Sequence, residues 1–320
     1  MANEFTHQSH AAYKRIKPYI RETPLERSSA LSEICDAEVY VKLENYQITG
    51  SFKLRGALNK LLTLTPEQKK KGVLAASTGN HGAGVGKGMS LFGIEGTIFI
   101  PTNALPAKVA ALRRNGTPVK IAGGTCEMAE SLARAAAQIT GATFISPYND
   151  AEVVAGQGTI GIEIRQQLLK SPDAIFVSVG GGGLIAGISE VLKSEFPMMR
   201  AFGCSPINDS AMASSVKAGK IISVDAKPTI SDGTAGGVEP GSLTFERCQR
   251  LIDQFVLVEE FEIKSALRWL IDVPHVLVEG AAAVALAGLL KVKEQIKGKT
   301  VVVVLCGSNI GTDTLRELLG

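Results

Sequence analysis

The segment SFKLRGA at positions 51–57 contains a lysine, Lys53, where a helix is predicted to begin. Unsatisfied N–H groups at the start of a helix carry partial positive charge, which lowers the pKa of a nearby lysine. A lysine amine that is partly deprotonated forms a Schiff base with an aldehyde. An ordinary exposed helix lysine is the alternative, and the heptapeptide alone leaves both interpretations open.

The segment STGNHG at positions 77–82 follows a predicted strand and precedes a predicted helix. Backbone N–H groups at such a helix start point at a ligand, and Gly79 permits close approach, so a carboxylate or phosphate would fit there. A plain strand-to-helix turn in which Asn80 caps the helix is the alternative. His81 alone is more typical of a hydrogen-bonded structural histidine than of a catalyst.

Four consecutive glycines, Gly180–Gly183, lie between a predicted strand and a predicted helix. Each glycine costs about 0.5–1 kcal/mol of conformational entropy relative to alanine, so a run of four indicates a functional loop. Such a loop presents N–H donors to a phosphate. It also fits the dinucleotide-binding fingerprint formally, but the next predicted strand ends at Cys204 without the acidic residue that would bind the ribose of NAD.

Glu279 and Cys306 stand out because of their apolar surroundings. A carboxylate inside an apolar stretch needs a partner or a function, although a solvent-facing glutamate at a helix start would also explain Glu279. Cys306 follows the last apolar strand, and ligands of open parallel sheets bind at such strand ends. A small core cysteine is the alternative for Cys306.

Short apolar runs alternate with helical patterns along the chain, which predicts an α/β fold with buried parallel sheet. The predicted strands are Glu38–Leu43, Val73–Ala76, Gly96–Ile100, Val119–Ile121, Ala174–Val179, Ala201–Cys204 and Thr300–Leu305. The predicted helices are Lys53–Leu62, Gly82–Phe92, Ala107–Arg114, Cys126–Ile139, Gly158–Leu169, Leu184–Phe196 and Glu279–Ile296. We interpret residues 51–148 as an inserted small domain and residues 1–50 with 149–320 as a larger one, with a ligand cleft between them.

Composition excludes several classes of protein. The 34 basic and 31 acidic side chains give a net charge of +3, too near neutral for a nucleic-acid-binding protein. No apolar run approaches the roughly 18 residues of a membrane span, and Glu4, His7 and His10 occupy positions where a signal peptide is apolar. The five cysteines form no CxxC pair, so we expect neither a disulfide framework nor a zinc cluster, and a cytoplasmic location.

Taken together and in this order, the lysine, asparagine and tetraglycine segments resemble the fold type II pyridoxal-phosphate enzymes. The similarity is strongest to the serine/threonine dehydratase branch, which includes threonine ammonia-lyase and serine racemase. It extends from Thr23 to Asn309, and Phe52 with Arg55-Gly56 favours this branch over the sulfhydrylases. The resemblance implies two lobes, each an open, mainly parallel sheet covered by helices. It also implies a large cofactor-binding domain (1–50 and 149–320), a small domain (51–148) that closes over the substrate, and a homodimer.

The resemblance also implies roles for individual residues. Lys53 would carry pyridoxal 5'-phosphate and later remove the α-proton of the substrate. Cys306 would face the pyridine nitrogen, and its neutral thiol would leave that nitrogen largely unprotonated, which favours loss of the β-substituent over transamination. The implied cofactor contacts are Phe52, Lys53, Asn80, Gly180, Gly181, Gly182, Gly183, Leu184, Glu279 and Cys306. The implied substrate contacts are Ser77, Thr78, Gly79, Asn80, His81 and Gly233.

The implied reaction is β-elimination from a small L-β-hydroxy amino acid, such as serine or threonine, to a 2-oxo acid and ammonia. The alternatives are an amino-acid racemase and a dehydratase of another β-hydroxy amino acid, such as 3-hydroxyaspartate or phenylserine. Thr78 stands where racemases have a serine as second acid/base, so we assign it a catalytic position but expect weak racemisation. Ser205 and Ala211 stand where metal-stimulated relatives have carboxylates, so we expect no metal site.

Overall fold

The computed structural model describes residues 4–104, 109–110, 112–113 and 116–320, and its strands form two separate sheets. The larger sheet has the strand order β1-β2-β10-β7-β8-β9 and the smaller sheet the order β5-β4-β3-β6. Only the β1–β2 pairing is antiparallel among the described strand pairs. The strands are β1 Leu25–Arg27, β2 Glu38–Leu43, β3 Val73–Ala76, β4 Gly96–Ile100, β5 Val119–Ile121, β6 Thr143–Phe144, β7 Ala174–Ser178, β8 Arg200–Pro206, β9 Gln254–Val258 and β10 Thr300–Leu305.

Helices cover both sheets. The α-helices with defined bounds are Glu4–Ile16, Ser29–Cys35, Lys53–Thr63, Pro66–Lys71, Asn80–Phe92, Cys126–Thr140, Ala151–Gln167, Gly183–Glu195, Ala211–Ala218, Leu243–Leu251, Glu260–Asp272, Gly280–Lys291 and Thr312–Leu319. Short 3-10 helices span Lys17–Tyr19, Glu44–Tyr46 and Lys293–Ile296. Within the described ranges, no helix has the length and apolar character to cross a membrane.

The core of the larger sheet explains why β10 is apolar from Val301 to Leu305. Every residue of β10 is buried, because helices cover both faces of the sheet. The alanine-rich helix Gly280–Lys291 packs in the same apolar core. Its small residues let it approach the strands closely: a Cβ placed on Gly288 would lie 2.3 Å from the sulfur of Cys204.

The carboxyl ends of the parallel strands carry the loops with candidate functional residues. β3 leads into the helix Asn80–Phe92, β7 leads into the helix Gly183–Glu195, and Cys306 directly follows β10. Ligands of open parallel sheets bind at these strand ends. The smaller sheet uses strands between residues 73 and 144, and the larger sheet uses strands outside that range.

Most predicted elements are present, with some different bounds. The predicted strand Ala174–Val179 ends one residue earlier, at Ser178, and Ala201–Cys204 extends to Arg200–Pro206. The helix predicted for Gly158–Leu169 begins earlier, at Ala151, because Asp150 caps it by accepting from the backbone N–H groups of Glu152 and Val153.

The helix predicted for Glu279–Ile296 ends at Lys291 and is followed by a 3-10 helix. Half of the helix predicted for Ala107–Arg114, at positions 107, 108, 111 and 114, falls outside the described residues.

Candidate active site

Lys53 is the first residue of the helix Lys53–Thr63, and its amine points into the site rather than into solvent. Its Nζ donates a hydrogen bond to the carbonyl of Pro147 at 2.9 Å and lies 5.2 Å from the ring centroid of Phe52. Burial lowers the pKa of Lys53 to about 8, against the opposing influence of Cys306 and Glu279. The interpretation of Lys53 as an ordinary exposed lysine is therefore wrong.

The segment before Lys53 is held against the end of β10. The Phe52 N–H donates to the carbonyl of Cys306 at 3.1 Å, and Ser51 forms an isolated antiparallel bridge with Gly307. The N–H of Ser308 donates to the carbonyl of Gly50 at 2.8 Å. These backbone contacts bring Lys53 and Cys306 into one site.

The thiol of Cys306 is buried and uncharged. Burial, followed by the nearby negative charge of Glu279, raises the pKa of this thiol well above its ordinary value, while Lys53 acts in the opposite direction. Cys306 therefore provides a neutral group at the end of β10 across the physiological pH range.

Asn80, Glu279 and Asn309 form a hydrogen-bonded group at the edge of the site. Nδ2 of Asn80 donates to Oε1 of Glu279 at 2.7 Å, and Oδ1 of Asn80 accepts from Nδ2 of Asn309 at 2.6 Å. The backbone N–H of Asn309 donates to the other carboxylate oxygen, Oε2, at 3.0 Å. Glu279 is only 4% exposed, so its interpretation as a solvent-facing glutamate is wrong.

Asn80 does not cap the helix. The capping position is Gly79, and Asn80 is the first helical residue. Because Glu279 and Asn309 hold both ends of its amide, the orientation of the Asn80 side chain is fixed.

The tetraglycine loop follows β7 and carries no side chain that would obstruct a ligand. The carbonyl of Gly181 accepts from the Thr244 hydroxyl at 2.6 Å, and the carbonyl of Gly182 faces the Cys248 sulfur at 3.8 Å. Gly182 has φ +80°, a conformation that favours glycine. Among the described residues, no side chain caps the following helix Gly183–Glu195, whose N-terminus is therefore available to an anion.

Tyr148 connects this loop to Lys53. A Cβ placed on Gly181 would lie 2.3 Å from the Tyr148 ring, and one on Gly183 would lie 3.2 Å from its Cβ. The preceding residue is Pro147, whose carbonyl accepts from the Lys53 amine. Tyr148 itself is anchored because its hydroxyl accepts from the N–H of Glu239 at 2.9 Å.

The loop Ser77–His81 lies at the end of β3. The N–H of Gly79 donates to the Ser77 hydroxyl at 3.1 Å, the side chain of Thr78 is half-buried, and a Cβ on Gly79 would meet nothing within 4 Å. His81 is buried, and its Nε2 donates to the carbonyl of Ile145 at 2.8 Å. Burial, together with the charge of Lys53, lowers the pKa of His81 to about 3, so its imidazole is a neutral hydrogen-bonded group.

Gly233 lies against the carboxylate of Glu279. A Cβ on Gly233 would lie 2.9 Å from the Cβ of Ala281 and 3.3 Å from Oε1 of Glu279. The next residue, Thr234, contacts Gly180, where a Cβ would lie 2.6 Å from the Thr234 carbonyl oxygen. The loop around Gly233 thus contacts both the carboxylate and the tetraglycine loop.

A model of the family described as pyridoxal-phosphate dependent enzyme matches residues 16–307. The chain belongs to this family. Its cofactor is accordingly pyridoxal phosphate. L-threonine ammonia-lyase of Thermotoga maritima is 41% identical over 308 residues, which cover 96% of this chain and 76% of that relative.

Two solved structures have the same fold over more than nine-tenths of their length. Processed threonine deaminase isoform 2 of Solanum lycopersicum has a TM-score of 0.91 at 35% identity, covering 98% of this chain and 91% of that one. Maize serine racemase has a TM-score of 0.92 at 31% identity, covering 100% and 97%. The expected fold, two parallel-rich sheets covered by helices as in fold type II pyridoxal-phosphate enzymes, is confirmed.

The residues of the site fit pyridoxal phosphate. Lys53 offers an amine of lowered pKa to the aldehyde, and the loop Gly180–Gly183 with Leu184 forms the start of an uncapped helix suited to the phosphate. Cys306 adds a neutral thiol near Lys53, and Asn80 adds a neutral amide that donates to Glu279. In the part of the chain that the structure describes, no group of three or more His, Cys, Asp or Glu side chains is placed to hold a metal ion.

Sequence reasoning missed Pro147, Tyr148 and Asn309 as contributors to this site. Pro147 and Tyr148 lie in the sequence SPYND at positions 146–150, which has the composition of a turn, and the aromatic residue in that turn is a usable signal. Asn309 belongs to the segment after β10 that contains Cys306, so its position at a strand end was the available indication.

Proposed function

We propose that this enzyme catalyses the pyridoxal-phosphate-dependent β-elimination of a small L-β-hydroxy amino acid, such as serine or threonine, to a 2-oxo acid and ammonia. The observation that carries the proposal is the pairing of a lysine of lowered pKa, Lys53, with the neutral thiol of Cys306 in one site. The similarity to proteins named threonine ammonia-lyase and threonine deaminase supports it.

Lys53 is the proposed attachment point of the cofactor and the base that removes the α-proton. When bound, pyridoxal phosphate supplies an electron sink for the negative charge that develops at the α-carbon. A general base works best when its pKa lies near the operating pH. The pKa of about 8 for Lys53 meets that condition, whereas an exposed lysine near 10.4 does not.

Cys306 is proposed to direct the reaction toward elimination. Cys306 would face the pyridine nitrogen of the bound cofactor, where its neutral thiol would supply no negative charge to favour protonation of that nitrogen. Under that condition, expulsion of the β-hydroxyl competes well with transamination.

The loop Ser77–His81 is proposed to bind the substrate carboxylate. It leads into the N-terminus of the helix Asn80–Phe92, and a Cβ on Gly79 would meet nothing within 4 Å, which leaves room for a ligand. Asn80, held by Glu279 and Asn309, is proposed to contact the cofactor, and Gly233 is proposed to approach the substrate.

Racemisation is the second candidate, supported by the similarity to maize serine racemase. Thr78 lies in the proposed carboxylate loop, half-buried, and its hydroxyl is a possible second acid/base. Its methyl group restricts approach to the substrate, so we propose racemisation only as a minor activity.

A panel of L-serine, L-threonine, 3-hydroxyaspartate and phenylserine, assayed for ammonia and 2-oxo acid, tests the proposed function. We expect both products in equal amounts from serine or threonine. Ammonia without a 2-oxo acid, or no product from any member of the panel, would contradict the proposal.

We also propose a homodimer and a cytoplasmic location. The side-chain amide of Asn45 donates to the carbonyl of Leu277, which holds the segments of Tyr46 and Leu277 next to each other. The side chains of Tyr46 and Leu277 are exposed and offer apolar surface to a second copy of the chain. All five cysteines, each within the described residues, are free thiols, as is usual in a reducing compartment. Sedimentation at micromolar concentration distinguishes a dimer from a monomer.

A further inference from the structure

Four buried charged side chains lie beside the first turn of the helix Lys53–Thr63. They are Lys42, Glu44, Arg55 and Glu163, and each has 0% exposure. Two are positive and two are negative, so the cluster has no net charge. We refer to these four residues as the buried ionic cluster.

Arg55 binds both carboxylates of the buried ionic cluster through pairs of hydrogen bonds. Its Nε and Nη2 each donate to a different oxygen of Glu44 at 2.8 Å. Its Nη1 and Nη2 donate to the two oxygens of Glu163 at 2.6 and 2.8 Å. This double bidentate arrangement requires the planar guanidinium, and a lysine cannot reproduce it.

Lys42 belongs to the same cluster, but within the described residues its hydrogen bonds go to groups outside the helix that begins at Lys53. Its Nζ donates to Glu163 at 2.7 Å, to the carbonyl of Thr23 at 2.6 Å and to Gln167 at 2.9 Å. Lys42 therefore contributes charge to the cluster without fixing that helix directly.

Stability alone does not explain a buried ionic cluster of this kind. Buried ions lose their hydration, and well-packed apolar side chains of similar volume are often as stabilising. What paired charges add is a defined direction and distance for each group. Arg55 lies two residues after Lys53, whereas Glu44 follows β2 and Glu163 lies within the helix Ala151–Gln167.

The backbone near Arg55 is also tightly packed. A Cβ on Gly56 would lie 2.7 Å from the carbonyl oxygen of Val153, and one on Gly156 would lie 2.6 Å from the Cα of Gly56. The helices Lys53–Thr63 and Ala151–Gln167 therefore touch at their backbones where Arg55 is anchored. Small shifts of the first turn are opposed both by packing and by the ion pairs.

We propose that Arg55 is a positioning residue whose paired contacts to Glu44 and Glu163 fix the first turn of its helix and thereby the placement of the Lys53 amine. This inference rests on the proposed role of Lys53 as the attachment point of pyridoxal phosphate. It assigns a function to the buried ionic cluster, which within the described residues makes no hydrogen bond to the segments 77–82 and 180–183.

The test compares Arg55→Gln with Lys42→Gln in the full chain. Each substitution removes one buried positive charge from the same cluster, but only Arg55 is part of the helix that begins at Lys53. One measurement is urea unfolding of both variants. The other is the rate of covalent attachment when pyridoxal phosphate is added back to cofactor-free protein, with borohydride reduction and peptide mapping to locate the label.

We expect both variants to lose unfolding stability, but attachment to Lys53 to slow selectively in Arg55→Gln. Because a displacement of about 1 Å can slow a reaction about a hundredfold, a rate at least about tenfold below that of Lys42→Gln is expected. Equal attachment rates in the two variants would overturn the inference and leave Arg55 with a general structural role.

A second pair of variants applies if either glutamine variant fails to fold. Arg55→Lys and Lys42→Arg both keep the charge of the cluster, and only the former loses the double bidentate contact. Slow attachment in Arg55→Lys alone supports the inference, and equal rates overturn it. A borohydride label on another lysine in the unsubstituted protein would instead contradict the proposed role of Lys53, and with it the premise of this inference.

Discussion

Nδ2 of Asn80 donates to Oε1 of Glu279 at 2.7 Å, which joins the loop after β3 in the smaller sheet to the residue that precedes the buried helix Gly280–Lys291. Asn309 completes the contact from the end of β10. Elements of both sheets therefore meet at one buried carboxylate, next to the proposed position of the cofactor.

Replacement of Glu279 by glutamine should weaken this contact and change the behaviour of Lys53. Each oxygen of the Glu279 carboxylate accepts a hydrogen bond, one from Asn80 and one from Asn309, and glutamine replaces one of these oxygens with an NH2 group that cannot accept. The lost hydrogen bond lowers the unfolding free energy by about 1–3 kcal/mol. The negative charge of Glu279 raises the pKa of Lys53, so its removal lowers that pKa below about 8. The attachment of pyridoxal phosphate requires the neutral amine, and its rate should therefore rise at lower pH than in the unsubstituted protein.

The matched control for this prediction is Glu190→Gln. Glu190 is also buried, at 3% exposure, but is paired with Arg250 and Arg247 rather than with site residues. This variant should have a lower unfolding free energy, while the pH at which the attachment rate is half-maximal stays at about 8. If the pH of half-maximal attachment in Glu279→Gln stays at about 8 or rises, this result would contradict the conclusion that the charge of Glu279 raises the pKa of Lys53.

Racemisation of L-serine should be slow beside elimination, because the methyl group of Thr78 limits the approach of its hydroxyl to the substrate. Thr78→Ser removes that methyl group and should raise the ratio of D-serine to pyruvate. Chiral analysis of unreacted serine after long incubation measures this ratio. D-serine accumulating as fast as pyruvate in the unsubstituted enzyme would show that Thr78 already serves as the second base.

Activity should not depend on a divalent cation. Mg²⁺ and Ca²⁺ require several oxygen ligands, usually including carboxylates. The Ser205 hydroxyl donates to the carbonyl of Val179 at 3.0 Å, Ala211 has no ligand atom, and Asp209 accepts through Oδ2 from the N–H of Gly236.

Exhaustive EDTA treatment should leave ammonia release unchanged, and restoring either cation should add nothing. A several-fold loss that Mg²⁺ or Ca²⁺ reverses would indicate a cation site involving Asp209, with Asp225 or Asp232 as a second carboxylate.

The central strands with apolar runs and the edge strand β5 were predictable from the sequence, whereas the edge strands β1 and β9 were not. β2, β3, β4, β5 and β10 have their predicted bounds, since four or more apolar or β-branched residues mark most of them. β1 has only three residues, two of them exposed and charged, and therefore lacks an apolar run. β9 does contain an apolar run, Phe255–Val258, which we did not assign as a strand from the sequence.

The candidate site residues stand out in the sequence because they belong to short local motifs, whereas their supporting contacts could not be predicted. Lys53 and Gly180–Gly183 each stand out within a few residues of sequence. The contact between Arg55 and Glu163 joins positions 108 residues apart, and that between Asn80 and Glu279 joins positions 199 apart. Only the folded chain reveals which distant charges and amides meet.

The central claim is that Lys53 binds pyridoxal phosphate covalently and acts as the base. Lys53→Ala should remove the yellow colour of the purified protein and abolish ammonia release. Lys60→Ala, a change in the same helix at a lysine paired with Asp150 at 2.6 Å, should leave both unchanged.

Borohydride reduction of the unsubstituted enzyme, followed by peptide mapping, tests this claim most directly. Reduction makes the bond between the cofactor and its lysine permanent, so the labelled peptide identifies the attachment point. The account predicts a single labelled residue, Lys53. A label on any other lysine would contradict it.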